Sequence, residues 1–466
     1  MAIQLIKTAA IFWMTLASCS LVASEYSLTK SVTLKGLFND NVTLSPNVKS
    51  GRYGGTGIAA FQLSKVTEIS QLAGDISLKA NNYNLASYNT FDPVINISYT
   101  KQSENGLWGV SGNYSRDSTR TLDPEDENLD FSNSIDSRIF SSRLSANWNR
   151  SINEKNRLAW SANISDVKYE SDFRNSYVYG QTSLLWQHFI SERMRLQGNA
   201  AYSRLATDAT STLVASPLFF DALDEGVFSI DETIFLIDSC SSGVNQIALL
   251  NEIVNGPSDD FEPWSCFEER LSENTQTTVQ LQLGVYYMLT QRLVLDLLVG
   301  KSSANSESKA SFLNVPPLNE ISGQRVDTQK NNDQGSVYQG SIEYSGESWS
   351  SGFRVSRNNS VNGNSTLSLV TQTSFDAQWR FDQYNSISGS ISHNKQESSG
   401  QAGNVFFARD QIVASLRYNY AFAEGWQLTT VYRLKDQLIA GREDHGRSNQ
   451  VAIIVAWRPA ANKWSR

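Results

Sequence analysis

Long apolar runs are the first thing this chain lacks. Beyond its N-terminus no stretch approaches the roughly 18 apolar residues that a membrane helix needs. Together with a mean hydropathy of −0.35, that excludes a helical span. It leaves a barrel open, because only alternate strand residues meet lipid. Histidine is scarce too. His188, His393 and His445 are the only three. None stands in a Ser/His/Asp context, and no His, Cys and acid group has metal-ligand spacing. A glycine-rich phosphate loop is also missing. The chain is therefore not expected to be an enzyme, and no cofactor or metal is expected. No basic stripe appears in a chain of net charge −8, so nucleic acid is not an expected partner.

What is abundant is alternation. Trp108, Val110, Gly112 and Tyr114 interleave with Gly109, Ser111 and Asn113. Val279, Leu281, Leu283, Val285 and Tyr287 enclose Gln280, Gln282 and Gly284, and Ile412, Ala414, Leu416, Tyr418 and Tyr420 repeat the pattern. Period two with one apolar and one polar face predicts half-buried strands. A soluble sheet would need helices or a second sheet over the apolar face, and no run outside one loop has convincing helical spacing. A closed barrel in lipid needs neither.

Tight polar turns fall at Lys65–Glu68, Gln102–Asn105, Ile152–Asn156, Ser191–Arg193, Thr290–Arg292, Ser345–Ser348, Asp382–Tyr384 and Ala423–Gly425. Longer loops alternate with them near 40–52, 81–92, 116–136, 168–176, 207–275, 303–334, 358–364, 396–406 and 436–447. Eight turns and nine loops predict an all-β, up-and-down antiparallel transmembrane barrel of about eighteen strands. Sixteen is the alternative if the glycine-weakened stretch 53–81 does not pair. Short turns belong in the periplasm and long loops outside the cell, so the location read here is the outer membrane of a Gram-negative bacterium. Outer-membrane lipid and lipopolysaccharide are then expected partners. Trp108, Trp148, Trp160, Trp349, Trp379 and Trp426 lie close to tight turns, as an interfacial girdle on the periplasmic side requires. Along Tyr177–Phe189 two phases compete, Val178/Leu184/Trp186 against Tyr177/Tyr179/Leu185, and a one-residue slip would exchange them.

Residues 1–24 read as a signal peptide, with Lys7 the only charge and Ala9–Leu16 the apolar core. Cleavage after Val22-Ala23-Ser24 competes with a lipobox at Leu16-Ala17-Ser18-Cys19, which would end the leader at 18 and lipidate Cys19. The barrel then occupies 25–466. Within it, segment 208–274 is a long loop with fourteen acids against the single base Arg270, a balance of −13. Its Cys240 and Cys266 suit a disulfide in an oxidising compartment, two free thiols being the alternative. Apolar patches predict that the segment is folded, either narrowing the lumen or forming an extracellular lid. Its acids, and those at Asp123, Glu125, Asp126, Glu127 and Asp130, lack calcium-site spacing and read as solvated charge.

The polar phase nominates a lumen lining: Asn113, Asn147, Asn163, Gln197, Asn199, Gln280, Gln282, Gln339, Arg354, Gln372, Asp376, Gln378, Arg417, Asn419 and Arg433. Amides and hydroxyls dominate and charges are few. Such groups exchange hydrogen bonds with sugar hydroxyls without holding any one tightly. Rings of charge, which sort small ions, are not evident. No plug-like segment precedes the first strand, which argues against an energised siderophore-type transporter.

Three short stretches carry a resemblance. Phe38-Asn39-Asp40-Asn41-Val42 closes the first strand, Ser115-Arg116-Asp117-Ser118-Thr119 follows the fifth, and Arg447-Ser448-Asn449-Gln450-Val451 opens the last. Together with the closing Ala456-Trp457-Arg458-Pro459, they resemble the β-barrel porin family associated with exopolysaccharide export systems of Gram-negative bacteria. The resemblance implies an outer-membrane pore for a polysaccharide substrate, working beside a periplasmic polysaccharide export protein. The long acidic loop departs from the family. So does the ending Lys463-Trp464-Ser465-Arg466, although Trp457 can serve as the terminal aromatic if the final nine residues hang into the periplasm. A general diffusion porin and a non-conducting surface-interaction barrel are the rival readings.

Overall fold

The alternating segments form strands in the computed structural model. It describes residues 24–42, 44, 51–85, 88–118, 138–170, 175–208, 210–215, 267–314, 325–361, 367–397, 409–439 and 445–465. The strands are β1 (Glu25–Asn39), β2 (Arg52–Val66), β3 (Ser70–Tyr83), β4 (Thr90–Ser103), β5 (Gly106–Ser118), β6 (Arg138–Asn153) and β7 (Asn156–Tyr169). Next come β8 (Tyr177–Phe189), β9 (Met194–Thr207), β10 (Thr210–Ala215), β11 (Phe267–Met288), β12 (Leu293–Asn314) and β13 (Arg325–Ser345). The last are β14 (Trp349–Val361), β15 (Leu367–Arg380), β16 (Asn385–Glu397), β17 (Arg409–Ala423), β18 (Trp426–Ile439), β19 (Gly446–Trp457) and β20 (Asn462–Ser465).

These twenty segments make an eighteen-stranded wall, because two of them continue others. Ala206 faces Thr275 and Thr210 faces Ser272, so β10 prolongs β9 across a bulge that adds one residue. Trp457 faces Val32 and Asn462 faces Leu28, so β20 prolongs β19 in the same way. Pro459 lies inside that second interruption, where a missing N–H cannot serve the ladder. Each strand pairs antiparallel with the next, and β19 returns to β1. Closure removes the sheet edges, the only arrangement of strands that leaves no backbone group unpaired in lipid. The stretch 53–81, on which the sixteen-strand alternative turned, supplies β2 and most of β3.

The tight turns have a common chemical cause. Thr67, Asn153, Ser191, Thr290 and Asp382 each turn a side-chain oxygen onto backbone N–H groups just ahead. At Asp382, Oδ1 accepts from the N–H of both Tyr384 and Asn385 at 2.7 Å. Such side-chain turns replace hydrogen bonds that the bend takes from the ladder. The Glu424–Gly425 turn uses a left-handed residue instead, Gly425 at φ 73°.

Three sequence expectations are corrected. The loop assigned to 303–334 is mostly strand, since β12 reaches Asn314 and β13 begins at Arg325. Segment 208–274 likewise begins and ends in strand, at Thr210–Ala215 and from Phe267 onward. Polar side chains on both faces hide these extensions, because strands standing above the membrane need no apolar phase. With 22, 22 and 21 residues, β11, β12 and β13 outreach the 12 to 16 of most of the wall. At about 3.4 Å per residue the excess adds roughly 20 Å along the strand. The third correction concerns the C-terminus. Residues 462–465 do not hang free but cover the β1 edge left open below Val32. There Tyr26 stacks on Trp464 at 5.8 Å and Lys463 Nζ meets Glu25 Oε1 at 2.8 Å.

Candidate functional site

Register and curvature decide which face is the lumen. Lys79 Nζ reaches Asp117 Oδ2 at 3.4 Å across the intervening β4. Gln197 Nε2 reaches Asp296 Oδ1 at 3.3 Å across β11, and Gln280 on β11 contacts Asn358 on β14. Side chains two or three strands apart can meet only on the concave side. The opposite face carries a continuous apolar band, with Leu283 70 % exposed, Leu281 61 % and Leu34 60 %. No water-soluble surface leaves that much apolar area uncovered. The register also settles the undecided strand. Leu184 pairs with the outward Trp160 and Trp186 with Leu158, so Tyr177, Tyr179 and Leu185 face inward.

The girdle residues sit at one end of this band. Trp108, Trp148 and Trp160 stand in one cross-strand row over β5, β6 and β7. Trp349 pairs with Trp379, and Trp426 with Trp457. Tyr99 and Tyr344 pack against Trp108 and Trp349 at 5.2 and 4.4 Å. Indole rings at one level beside short turns suit a headgroup zone, where ring and N–H want different solvents. Further along the strands the outward phase turns basic, at Arg116, Arg204 and Arg357.

All fifteen nominated lining residues occupy the phase that faces the lumen. Several are joined. Asn113 donates to Asn96 at 2.6 Å, and Asn96 donates to Asp75 at 3.2 Å, an amide ladder across β5, β4 and β3. Asn199 donates to Gln282 at 3.0 Å. Arg354 bridges two neighbours, Glu343 at 3.0 Å and Asp376 at 3.2 Å. Asn419 accepts from Thr429 at 2.8 Å. Arg417 stands opposite Ser388 and Val431, and Arg433 opposite Ser415 and Gln450. Asn147, Asn163, Gln339, Gln372 and Gln378 are spread over β6, β7, β13 and β15 and do not converge on one point.

The lining is more charged than the nominated set. Lys35, Arg52, Lys79, Arg143, Arg157, Arg195 and Lys435 share the inward phase, as do Asp75, Asp92, Asp117 and Asp296. The phase within each strand could have revealed them, for instance Lys79 between outward Leu78 and Ala80. Arg195 lies 3.6 Å above the Tyr286 ring, and Arg52 lies 4.7 and 4.8 Å from the rings of Tyr83 and Tyr88. Midway along the tall strands an open cleft is lined by Gln276, Ser302, Ser306, Asp333 and Asn359 among others.

Two of the resembling stretches meet at the seam. Asn449 donates its backbone N–H and its side-chain amide to the two oxygens of Asp40, at 2.7 and 2.8 Å. Ser448 Oγ donates to Asn39 at 2.8 Å, and Asn41 Nδ2 to the carbonyl of Arg447 at 2.8 Å. The expected Cys240–Cys266 disulfide, lipidation at Cys19, the body of the acidic loop and the acids at 123–130 lie outside the described residues.

Closure, an outward apolar band with aromatic rows and a polar inner face define a transmembrane β-barrel of the outer-membrane type. No protein-family model and no curated protein matches the chain in sequence. Solved structures resemble it in overall form. One is the closed form of the ferric-catecholate import receptor Fiu from E. coli K12, at 5 % identity and TM-score 0.46, covering 93 % of this chain and 81 % of the receptor. The ferric yersiniabactin uptake receptor FyuA from Yersinia pestis has 9 % identity and TM-score 0.45. It covers 94 % of this chain, which spans 66 % of that receptor. A bacterial polysaccharide outer membrane secretin has 9 % identity and TM-score 0.35, covering 92 % and 98 %.

Proposed function

We propose that this barrel is an outer-membrane pore that passes a polysaccharide or oligosaccharide, in the export of an exopolysaccharide. The observation that supports this reading is the inner wall. Between its charges it presents amides and hydroxyls such as Asn113, Gln280, Ser390, Ser415 and Asn419 around a closed eighteen-stranded circuit. Those groups can trade hydrogen bonds with successive sugar hydroxyls, so a chain slides with no covalent step and no cofactor. The seam adds support, because stretches that resemble the exopolysaccharide porin family are the ones that close this barrel. Lipopolysaccharide would surround the outward band, and a periplasmic export protein would meet the short turns.

Single-channel recording of the purified protein in planar bilayers tests the reading. A conductance that long soluble glycans occlude is the expected result. A large conductance that glycans leave unchanged would favour a diffusion porin for small solutes. Silence under all conditions would leave a surface-interaction barrel.

A further inference from the structure

On the outside of the barrel, the outward phase of β5, β7 and β9 carries a cation near its extracellular end. Arg116, Lys168 and Arg204 stand there, each eight residues above an outward apolar residue near the short turns, Trp108, Trp160 and Leu196. Eight residues span about 27 Å along a strand. On a strand tilted by about 40° this rises about 20 Å, close to the ~25 Å height of an apolar band. The three cations therefore share one level, at the outer edge of the lipid-facing surface. Each lies two strands from the next, about 10 Å across the sheet.

The two arginines meet no carboxylate. The Arg116 guanidinium lies 5.4 Å from the ring of Phe140, its cross-strand neighbour, and its Nε has no hydrogen-bond partner. Arg204 is exposed and, among the described residues, enters no ion pair or hydrogen bond. Its cross-strand neighbours are Gly180 and Thr277, and the glycine leaves open space beside the guanidinium. Thr275 shares the outward face with Thr277. The acids close by are engaged, Asp166 with Lys168 at 3.8 Å and Glu170 with Arg138 at 3.9 Å.

A guanidinium at the margin of an apolar band needs an anion, and what borders it in a membrane is a lipid headgroup. Arginine suits phosphate in particular, since its planar fork of N–H donors matches two phosphate oxygens at once. We propose that this face is a docking site for the phosphorylated headgroup of an outer-leaflet lipopolysaccharide. Arg116 and Arg204 are its phosphate contacts, and the Thr275 and Thr277 hydroxyls donate beside Arg204. The exposed Leu144, Ile164 and Tyr202 just below take the acyl chains. The inference concerns the outside of the wall and is independent of what the lumen carries.

The test is urea unfolding of the full chain from phosphatidylcholine vesicles that contain lipid A, dephosphorylated lipid A or neither, followed by tryptophan fluorescence. Lipid A should raise the midpoint, by an amount that shrinks as salt rises. Dephosphorylated lipid A should leave it where plain vesicles put it. R116Q/R204Q should lose most of the rise and keep its midpoint in plain vesicles, because neither arginine enters an ion pair. R143Q removes a lumen-facing cation from the same stretch and should keep the whole rise. Retained heat-modifiable mobility in electrophoresis certifies that each variant is folded. Equal rises with the two lipids, or an undiminished rise in R116Q/R204Q, overturn the inference. An equal rise from inorganic phosphate in plain vesicles overturns it as well, by assigning the arginines to a free anion. No current is measured, so the transport reading stands or falls separately.

Discussion

Two stretches of one wall handle charge in opposite ways. On β12–β15 opposite charges interleave, and Arg354 sits between Glu343 and Asp376 on the strands either side of it. On β16–β2 cations stand along the inner face, with Asp410 and Asp436 turned outward and Glu25 inward at the periplasmic rim, where it holds Lys463. The first arrangement cancels field at short range and ties neighbouring strands together. In the second, the cations are set into the wall, with Arg52, Arg433 and Lys435 buried. The stretches differ in build as well. β12 and β13 run 22 and 21 residues, whereas β16 has 13 and β19 has 12.

The largest expected break in this contrast comes from glycine. A Cβ on Gly300 of β12 would press into the Leu281 carbonyl oxygen and lie 2.7 Å from Gln282 Cα, whereas on Gly389 of β16 it would meet nothing nearer than 3.8 Å. Gly300→Ala should therefore cost about 1–3 kcal/mol and Gly389→Ala almost nothing, measured as urea unfolding from lipid vesicles by tryptophan fluorescence. Equal effects would mean that the tall strands are no more tightly apposed than the short ones.

The seam comes next. Asp40→Ala removes two hydrogen-bond acceptors facing Asn449 and should destabilise the barrel by roughly 1–2 kcal/mol. Asn449→Ala in the same background should add only the loss of its other partner, the Tyr432 hydroxyl that its Oδ1 accepts from at 2.9 Å. Additive losses would show that the two residues act separately.

A smaller effect on stability is expected at the interleaved wall. Arg354 is about half exposed, so Arg354→Gln should cost less than about 1 kcal/mol. Ion selectivity is the more sensitive readout. Glu343 and Asp376, freed of their shared partner, should move the pore toward cations.

The smallest change lies in the turn that joins the two stretches. Hydrogen bonds from the Asn385 side chain and the Tyr384 and Asn385 backbone hold the Asp382 carboxyl below the usual carboxylate value of 3.8. Because the folded value is the lower one, this stabilisation is complete above the ordinary value and is lost as pH falls through the folded one. Asp382→Asn keeps an acceptor oxygen and should remove that acid-side dependence. A pH titration of unfolding on both proteins checks this.

Strand number, turn positions and the inward phase were legible in the residues, because a half-buried strand must alternate and a tight turn needs Thr, Asn, Ser, Asp or Gly at fixed places. The eight turns and the two phases at Val279–Tyr287 and Ile412–Tyr420 follow from that alone. The tops of β11, β12 and β13 were not legible, since strands standing in water carry polar residues on both faces and read as loop. The lining charges were missed for a related reason. A lysine such as Lys35 or Lys79 in a short segment looks like surface until its strand is given a concave side.

Alternation and turn chemistry are local properties, so the sequence by itself determined a barrel, its strand count and the residues that share a face. Which strands stand side by side is non-local. Only the closed circuit brought Asn39–Asn41 against Arg447–Asn449 across the length of the chain and laid 462–465 along β1. Contacts form between neighbours in space, and neighbours in a sheet are set by register and closure.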